Sequence, residues 1–82
     1  MTWLEEPLRW ENPNGCYYIA RVGIDLFGEV ILSRYWGGKT RAGGSEKHEV
    51  IRDPSRGLDR LREIAKTRIR NGYRLVSGQL PS

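Results

Sequence analysis

The sequence predicts an α+β fold in which a small antiparallel β-sheet of four to five strands packs against one α-helix. Segments that alternate like strands fill the first half of the chain, and turns rich in Asn and Gly separate them. One amphipathic helical segment and a short apolar segment follow, an order that favours α+β over a parallel α/β sheet. At 82 residues the chain has room for one hydrophobic core, so we expect a single domain, residues 1–82, with its core at about residues 15–76.

The N-terminal segment is predicted to be an extended arm. Residues 1–12 mix Trp3 and Trp10 with acids and a proline, a composition that disfavours a helix. We expect the two tryptophans to anchor this arm. The sequence NPNG at residues 12–15 then predicts a turn, because proline fixes one backbone dihedral and Asn-Gly tolerates positive φ.

Two strands joined by a hairpin connection are predicted next. Residues 16–22 and 29–36 are rich in aromatic and β-branched side chains, and residues 23–28 between them begin and end with glycine. Alternation along the first strand puts Cys16, Tyr18, Ala20 and Val22 on one side, which we expect to face the core. The second strand carries Val30, Leu32 and Trp36 on one face.

A basic loop and a third strand precede the helix. Residues 37–45 contain four glycines with Lys39 and Arg41 between them, which favours a mobile loop over a packed element. Residues 46–51 predict a strand that is weaker than the first two because it is highly charged. We expect His48 to lie on its surface.

The helix has recognisable signals at both ends. Asp53-Pro54-Ser55 predicts its start, because Asp or Ser accepts a hydrogen bond from a free backbone amide and proline suits the first helical position. Gly72 suits a left-handed cap after about Asn71, and residues 73–76 predict a final strand before a loose tail at residues 77–82. The apolar stripe expected to face the sheet consists of Leu58, Leu61, Ile64, Ala65 and Ile69.

Arg68 interrupts this apolar stripe. Its helical angle puts it between Leu61 and Ile64, where a charged side chain is unexpected. Either its stem lies along the sheet while the guanidinium reaches an acid or a carbonyl, or the helix frays before it. We favour the first interpretation.

The charge of the chain is divided between its two halves. Residues 1–33 carry two basic and five acidic side chains, a net charge of −3, whereas residues 34–82 carry twelve basic and five acidic side chains, a net charge of +7. Clustered Lys and Arg attract polyanions through their summed field and through counterion release. The pattern indicates a face that binds nucleic acid, and a basic surface that only maintains solubility is the alternative.

Cysteine and histidine usage argues against metal binding and catalysis. Cys16 and His48 are the only residues of their kinds, which excludes an internal disulfide and a zinc site with paired cysteines. No third group orients a Cys–His pair, so we expect no cofactor, no metal and no enzyme activity. A lone cysteine suits the reducing cytoplasm and no apolar run is long enough for a membrane helix, so we expect a cytoplasmic protein with no membrane partner.

One stretch of sequence resembles a known family. The segment RYWGG at residues 34–38 is followed by the basic loop, a charged strand, a helix and Asn71-Gly72-Tyr73. With the preceding Asp25-Leu26-Phe27-Gly28, this arrangement over roughly residues 15–76 resembles WGR domains of the stand-alone bacterial type, which are named for a Trp-Gly-Arg signature. The resemblance implies an antiparallel sheet with one helix and a Gly-Tyr pair that closes the helix.

The resemblance also implies a function. In family members attached to poly(ADP-ribose) polymerases, the signature Trp is implicated in stacking on the sugar at a DNA end, and the signature Arg in contacts with neighbouring domains. Trp36 and Gly37 match the first two signature positions, but Gly38 replaces the arginine. The resemblance therefore implies DNA or RNA binding through Trp36 or reuse of the scaffold for another purpose, and it leaves the interdomain role without its residue.

The residues around Trp36 suit contact with a nucleic acid. At a strand end, an indole can present a flat face for stacking, while Gly37 and Gly38 leave room for a sugar-phosphate backbone. A core tryptophan that covers one end of the sheet is the other interpretation, and the sequence leaves both open. The cations predicted to contact phosphates are Arg34, Lys39, Arg41 and Lys47, with an ordinary solvated loop as the alternative.

The sequence thus predicts a small non-catalytic module that binds nucleic acid, DNA being favoured, through backbone contacts and tryptophan stacking. The alternative is a protein-interaction module without nucleic-acid contact. In that case Trp3, Trp10 and the acidic first half would dock a partner, and the basic side would only maintain solubility.

Overall fold

The strands form one antiparallel sheet with the helix on one of its faces. A computed structural model describes residues 2–3, 6–38 and 44–80 of the chain. Its elements are β1 (Thr2–Trp3), β2 (Leu8–Glu11), β3 (Tyr17–Ile24), β4 (Val30–Gly37), β5 (Ser45–Ile51), α1 (Pro54–Arg70) and β6 (Arg74–Ser77). The strand order is β5-β4-β3-β2-β6, and the two-residue β1 also pairs with β3. The predicted α+β fold, a small antiparallel sheet packed against one helix, is confirmed.

The hydrophobic core lies between α1 and the sheet. Alternation along β3 directs Tyr18, Ala20 and Val22 into it, as predicted. Cys16 is an exception, because it precedes β3 and is only partly buried. Its backbone belongs to the turn instead, where the amide of Cys16 donates to Oδ1 of Asn12 at 2.9 Å. The buried core residues are Leu8, Trp10, Tyr18, Ala20, Val22, Val30, Leu32, Ile51, Leu61, Ile64 and Ala65.

Both ends of the chain contribute more to the core than the sequence indicates. The predicted arm contains β2, which lies between β3 and β6 and pairs with both. Leu8 and Trp10 of this strand have 1% and 0% of their surface exposed, so the core begins well before residue 15. At the other end, β6 includes Ser77, and Leu80 packs partly against the core. The predicted loose tail at residues 77–82 therefore starts too early.

The β3–β4 connection is shorter than the predicted span of residues 23–28. Strand β3 continues to Ile24, which pairs with Val30. The carboxylate of Asp25 then closes the turn, because its Oδ1 accepts hydrogen bonds from the amides of Phe27 and Glu29, both at 2.9 Å. Gly28 supplies the left-handed residue of this turn at φ +80°.

The helix begins and ends at the predicted signals. The side chain of Asp53 accepts from the amide of Ser55 at 3.0 Å, and Gly72 adopts φ +86° after the last turn. Ile69, predicted to face the sheet, is 64% exposed instead. The buried stripe is centred near Arg68, and a neighbouring position lies about 100° around the helix, so Ile69 falls outside it.

Candidate nucleic-acid interface

Trp36 lies near the end of β4, on the face of the sheet that carries the core. In the sheet register it is directly opposite Tyr18 of β3 and Ser45 of β5. Tyr18 is buried, and directly opposite residues of an antiparallel pair share a face, so the indole lies on the core side. Trp36 is nevertheless only partly buried and packs against the border of the core. The sequence left two alternatives for Trp36, an exposed stacking surface and a core residue. The structure shows an intermediate case, in which the side chain is partly buried and partly exposed.

Three aromatic rings form a row that ends at Trp36. Trp10 meets Tyr18 edge-on, with 6.2 Å between ring centroids and 65° between planes. Tyr18 stacks on Trp36 at 5.8 Å and 13°. Trp10 has no exposed surface, whereas Trp36 keeps part of its surface in solvent. Tyr18 therefore orients the indole, and part of the surface of Trp36 remains accessible.

Arg68 adds a cation to this aromatic row. Its guanidinium carbon lies 4.3 Å from the ring centroid of Tyr18 and 5.2 Å from that of Tyr73. The helix continues to Arg70, so the predicted burial of the stem is correct, but the guanidinium contacts rings rather than an acid or a carbonyl of the described chain. Planar guanidinium groups stack well on aromatic faces. Arg68 is thus a candidate site residue that the sequence prediction missed, although its position in an apolar stripe was the available signal.

Arg34 approaches the same tyrosine from β4. Its Nη1 donates to the hydroxyl of Tyr18 at 3.5 Å, a long hydrogen bond. The Nε atoms of Arg34 and Arg68 are both buried, and neither has a hydrogen-bond partner in the described part of the chain. A buried donor left without a partner costs about 1–3 kcal/mol. These two Nε atoms therefore remain unpaired donors inside the protein, and a ligand would contact the terminal nitrogens of the two guanidinium groups instead.

Arg34 also faces a second cation across the sheet. Lys47 of β5 is its directly opposite residue and is exposed. Like charges in this position destabilise an antiparallel pair, and an anion bound between them would relieve the repulsion. Of the predicted site residues, the structure therefore brings together Trp36, Arg34 and Lys47, while Lys39 and Arg41 lie outside the described residues.

Two of the helix cations, Arg60 and Arg62, have acidic partners, unlike the cations of this cluster. The ion pairs on α1 are Arg60–Glu63 at 2.7 Å, Arg60–Glu49 at 3.4 Å and Arg62–Asp59 at 3.3 Å. The hydrogen bond to Glu63 raises the pKa of the Arg60 guanidinium above its ordinary value. Within residues 2–3, 6–38 and 44–80, no acid pairs with Arg34, Lys47 or Arg68. The cluster around Tyr18 consequently keeps its positive charge.

The glycines beside Trp36 meet the packing needs of the protein itself. A Cβ atom at Gly37 or at Gly44 would lie 2.9 Å from the hydroxyl of Tyr17. A Cβ at Gly38 would lie 3.0 Å from Sγ of Cys16. The space on that side of Gly37 and Gly38 is therefore occupied by Tyr17 and Cys16 rather than left for a sugar-phosphate backbone. An arginine at position 38, as in the WGR signature, would require Cys16 to move.

A serine, a histidine and a glutamate meet on the opposite face of the sheet. Oγ of Ser33 lies 2.8 Å from Nδ1 of His48, whose Nε2 lies 3.7 Å from Oε2 of Glu46. His48 is exposed, as predicted, and its ring meets Tyr35 edge-on. The order of groups is that of a nucleophilic triad, but Ser33 has 0% of its surface exposed, so a substrate has no access to its hydroxyl. The contact satisfies a buried hydroxyl.

Comparison of the chain with family models, with curated proteins and with solved structures finds no match. The resemblance to WGR domains therefore stays a prediction from the sequence. Among the described residues, no cluster of three or more His, Cys, Asp or Glu side chains is suited to a metal ion. The helix α1 also lacks the combination of length and apolar character that a membrane span needs, and it is the one helix in the described ranges.

Proposed function

We propose that this protein is a small non-catalytic nucleic-acid-binding module that holds a DNA backbone with cations and stacks Trp36 on a sugar or a base. The carrying observation is the group of cations without acidic partners beside a partly exposed aromatic stack. Arg34 and Arg68 both contact Tyr18, and Tyr18 holds Trp36. Nucleic-acid backbones are held by flexible cations next to an aromatic platform in the same way.

The expected energetics are consistent with backbone recognition. Stacking on an aromatic side chain typically contributes about 1–3 kcal/mol per base. Each phosphate neutralised by Lys or Arg releases counterions, a contribution that does not depend on base sequence. The resemblance to WGR domains favours DNA over RNA. Because Gly38 stands at the position of the signature arginine, binding depends on Arg34, Lys47 and Arg68 of the described chain.

Fluorescence anisotropy tests the proposal. Labelled duplex, nicked duplex and single-stranded DNA of equal length are titrated with the protein at about 50 mM and about 150 mM salt. We expect binding at the lower salt concentration that weakens at the higher one, with a preference for the DNA form that exposes a sugar or base to Trp36. Absence of binding to every form at the lower salt concentration contradicts the proposal.

The alternative, a protein-interaction module that docks through Trp3 and Trp10, is weakened by burial. Trp10 belongs to the hydrophobic core and has 0% of its surface exposed, so it cannot contact a partner in the folded protein. The side chain of Trp3 lies outside the described structure. Calorimetric titration with each DNA form separates the two functions, because a pure protein-interaction module gives no heat of binding with DNA.

A further inference from the structure

Two large apolar side chains are exposed at the tip of the β3–β4 hairpin. Leu26 and Phe27 have 91% and 90% of their surface in solvent, more than Ile69 at 64% or Val50 at 55%. The tip lies at the opposite end of β4 from Trp36, roughly 20 Å away at about 3.3 Å per residue. It therefore lies apart from the candidate nucleic-acid interface. Exposed apolar side chains of this size are typical of contact sites for proteins.

The turn holds both side chains outward in a defined arrangement. Oδ1 of Asp25 accepts from the amides of Phe27 and Glu29, both at 2.9 Å. The amide of Asp25 donates to the carbonyl of Glu29 at 2.9 Å, and the amide of Gly28 donates to the carbonyl of Asp25 at 3.1 Å. Four hydrogen bonds within one five-residue turn reduce the entropy lost when Leu26 and Phe27 bind.

A groove lies directly beside the tip. It has a volume of 480 Å³ and runs between the start of β4 and the end of β5. Its lining residues are Gly28, Glu29, Val30, Val50, Ile51 and Arg52. Val50 is the exposed apolar residue of this set, and it lies opposite Ile31 in the register. The chain therefore carries an apolar projection and a partly apolar groove next to each other.

We propose that two copies of this chain associate through this end of the sheet, each placing Leu26 and Phe27 in the groove of the other. A two-fold axis requires one surface to be complementary to itself. Because the projection and the groove are neighbours, a single two-fold rotation brings each projection to the partner's groove at once. The occupant of the groove is thus the hairpin tip of a second copy.

Charge supports this arrangement. Glu29 and Arg52 are both exposed at the groove, and their side chains form no ion pair with the described residues. In a two-fold pair the carboxylate of Glu29 in one copy faces the guanidinium of Arg52 in the other, and the reverse. Opposite charges across an interface favour the matched orientation and disfavour others.

The buried area indicates a transient dimer. Two aromatic and two leucine side chains with their grooves bury on the order of 1,000 Å² in total. Stable specific interfaces bury about 1,200–2,000 Å², so this contact lies just below that range. We therefore expect monomer and dimer to exchange rapidly, with the dimer populated at high protein concentration.

Sedimentation velocity of the full chain tests the proposal between about 10 µM and about 1 mM. The weight-average sedimentation coefficient rises with concentration for the original protein. Phe27→Ser raises the dissociation constant at least tenfold, whereas Ile69→Ser, the same kind of change at another exposed apolar site, leaves it unchanged. A monomer at every concentration, or a dimer that Phe27→Ser leaves intact, overturns the proposal.

A charge exchange provides an independent readout with no change in apolar surface. Glu29→Arg and Arg52→Glu each weaken the dimer, and the double variant restores it because the charges face each other again. Failure of the double variant to recover overturns the two-fold arrangement. All of these measurements are made without nucleic acid, so loss of DNA binding and loss of self-association are separate results.

Discussion

Arg68 of α1 lies over the ring of Tyr18 of β3, with 4.3 Å between the guanidinium carbon and the ring centroid. The contact joins the C-terminal part of the helix to the aromatic row that ends at Trp36. It also puts a positive charge beside that row, at a helical position within the apolar stripe. A partly buried guanidinium contributes little net stability compared with an apolar side chain of similar size.

Replacement of Arg68 by methionine separates a role in stability from a role in DNA binding. Methionine fills similar space without charge, so we expect the melting temperature to change by only a few degrees. DNA affinity is expected to fall about tenfold, or about 1.4 kcal/mol, because a charged donor to phosphate is lost. Thermal unfolding by circular dichroism and anisotropy on the same preparation measure both. Arg62→Met on the exposed helix surface is the matched control and should keep its affinity; a large fall in melting temperature with unchanged affinity contradicts the prediction.

Trp36 contributes to both packing and binding. We expect Trp36→Ala to weaken DNA binding by about 1–3 kcal/mol through the loss of stacking. It should also destabilise the fold by about 1–2 kcal/mol, because the indole covers one face of Tyr18. Trp36→Phe keeps an aromatic ring and should retain most of the stability. Urea unfolding and anisotropy give the two quantities, and an unchanged affinity in a folded Trp36→Ala protein would show that the indole does not touch the ligand.

The salt dependence of binding reports the number of phosphate contacts. If Arg34, Lys39, Arg41 and Lys47 all contact phosphates, the logarithm of affinity for duplex DNA falls against the logarithm of salt concentration with a slope of about −3.6, and Arg68 as a fifth contact makes the slope about −4.5. Lys47→Ala should reduce the magnitude of this slope by about 0.9. Lys66→Ala removes the same charge from the exposed side of α1 and should leave the slope unchanged. Equal effects of both variants would indicate a general field rather than a local contact.

Asp53 makes the stability of the helix dependent on pH. Hydrogen bonds from the amide and then the hydroxyl of Ser55 hold the pKa of this carboxyl below its ordinary value of about 3.9. Its folded pKa is thus lower than its unfolded pKa, so the stabilisation is complete above about pH 4 and is lost as pH falls through the folded pKa. Asp53→Asn keeps a capping side chain that does not titrate. Melting curves from pH 2 to 7 should therefore show that the melting temperature falls less at acidic pH in Asp53→Asn than in the original protein.

Ser33 and His48 are expected to matter for stability alone. His48→Phe keeps the ring against Tyr35 but leaves the buried hydroxyl of Ser33 without its partner, at a cost of about 1–3 kcal/mol. Ser33→Ala removes that hydroxyl and leaves an exposed imidazole that water can satisfy, so it should cost less. Urea denaturation of both variants shows which one loses more free energy of unfolding, and we expect the larger loss in His48→Phe. The opposite order contradicts this account, and ester hydrolysis by the original protein that Ser33→Ala abolishes would contradict the structural role.

Local patterns in the sequence were sufficient for much of the fold. Alternation alone identified the inward faces of β3 and β4, and the signals at Asp53 and Gly72 fixed both ends of α1. These features depend on neighbours within a few residues, which a single sequence shows directly. The same periodicity put Trp36 on the core side of β4, but its partial exposure depends on how far the helix covers the sheet.

Contacts between distant segments could not be predicted. The sheet register sets Arg34 opposite Lys47 and Ser33 beside His48, and a shift by one residue would separate both pairs. The position of β2 between β3 and β6 depends on strand order, for which residues 1–12 contain no local signal. The contact of Arg68 with Tyr18 likewise depends on how α1 packs on β3, which the sequence does not show.

The interior position of β2, between β3 and β6, also determines when the sheet can be completed. Glu11 of β2 pairs with Arg74 of β6, so one of its edges stays open until a segment more than sixty residues later arrives. Closing such a distant pair is entropically slow compared with forming the β3–β4 hairpin or the helix. The edge of β2 beside Trp10 therefore remains unpaired after the β3–β4 hairpin has formed, and an unpaired strand edge can pair with another chain until β6 covers it.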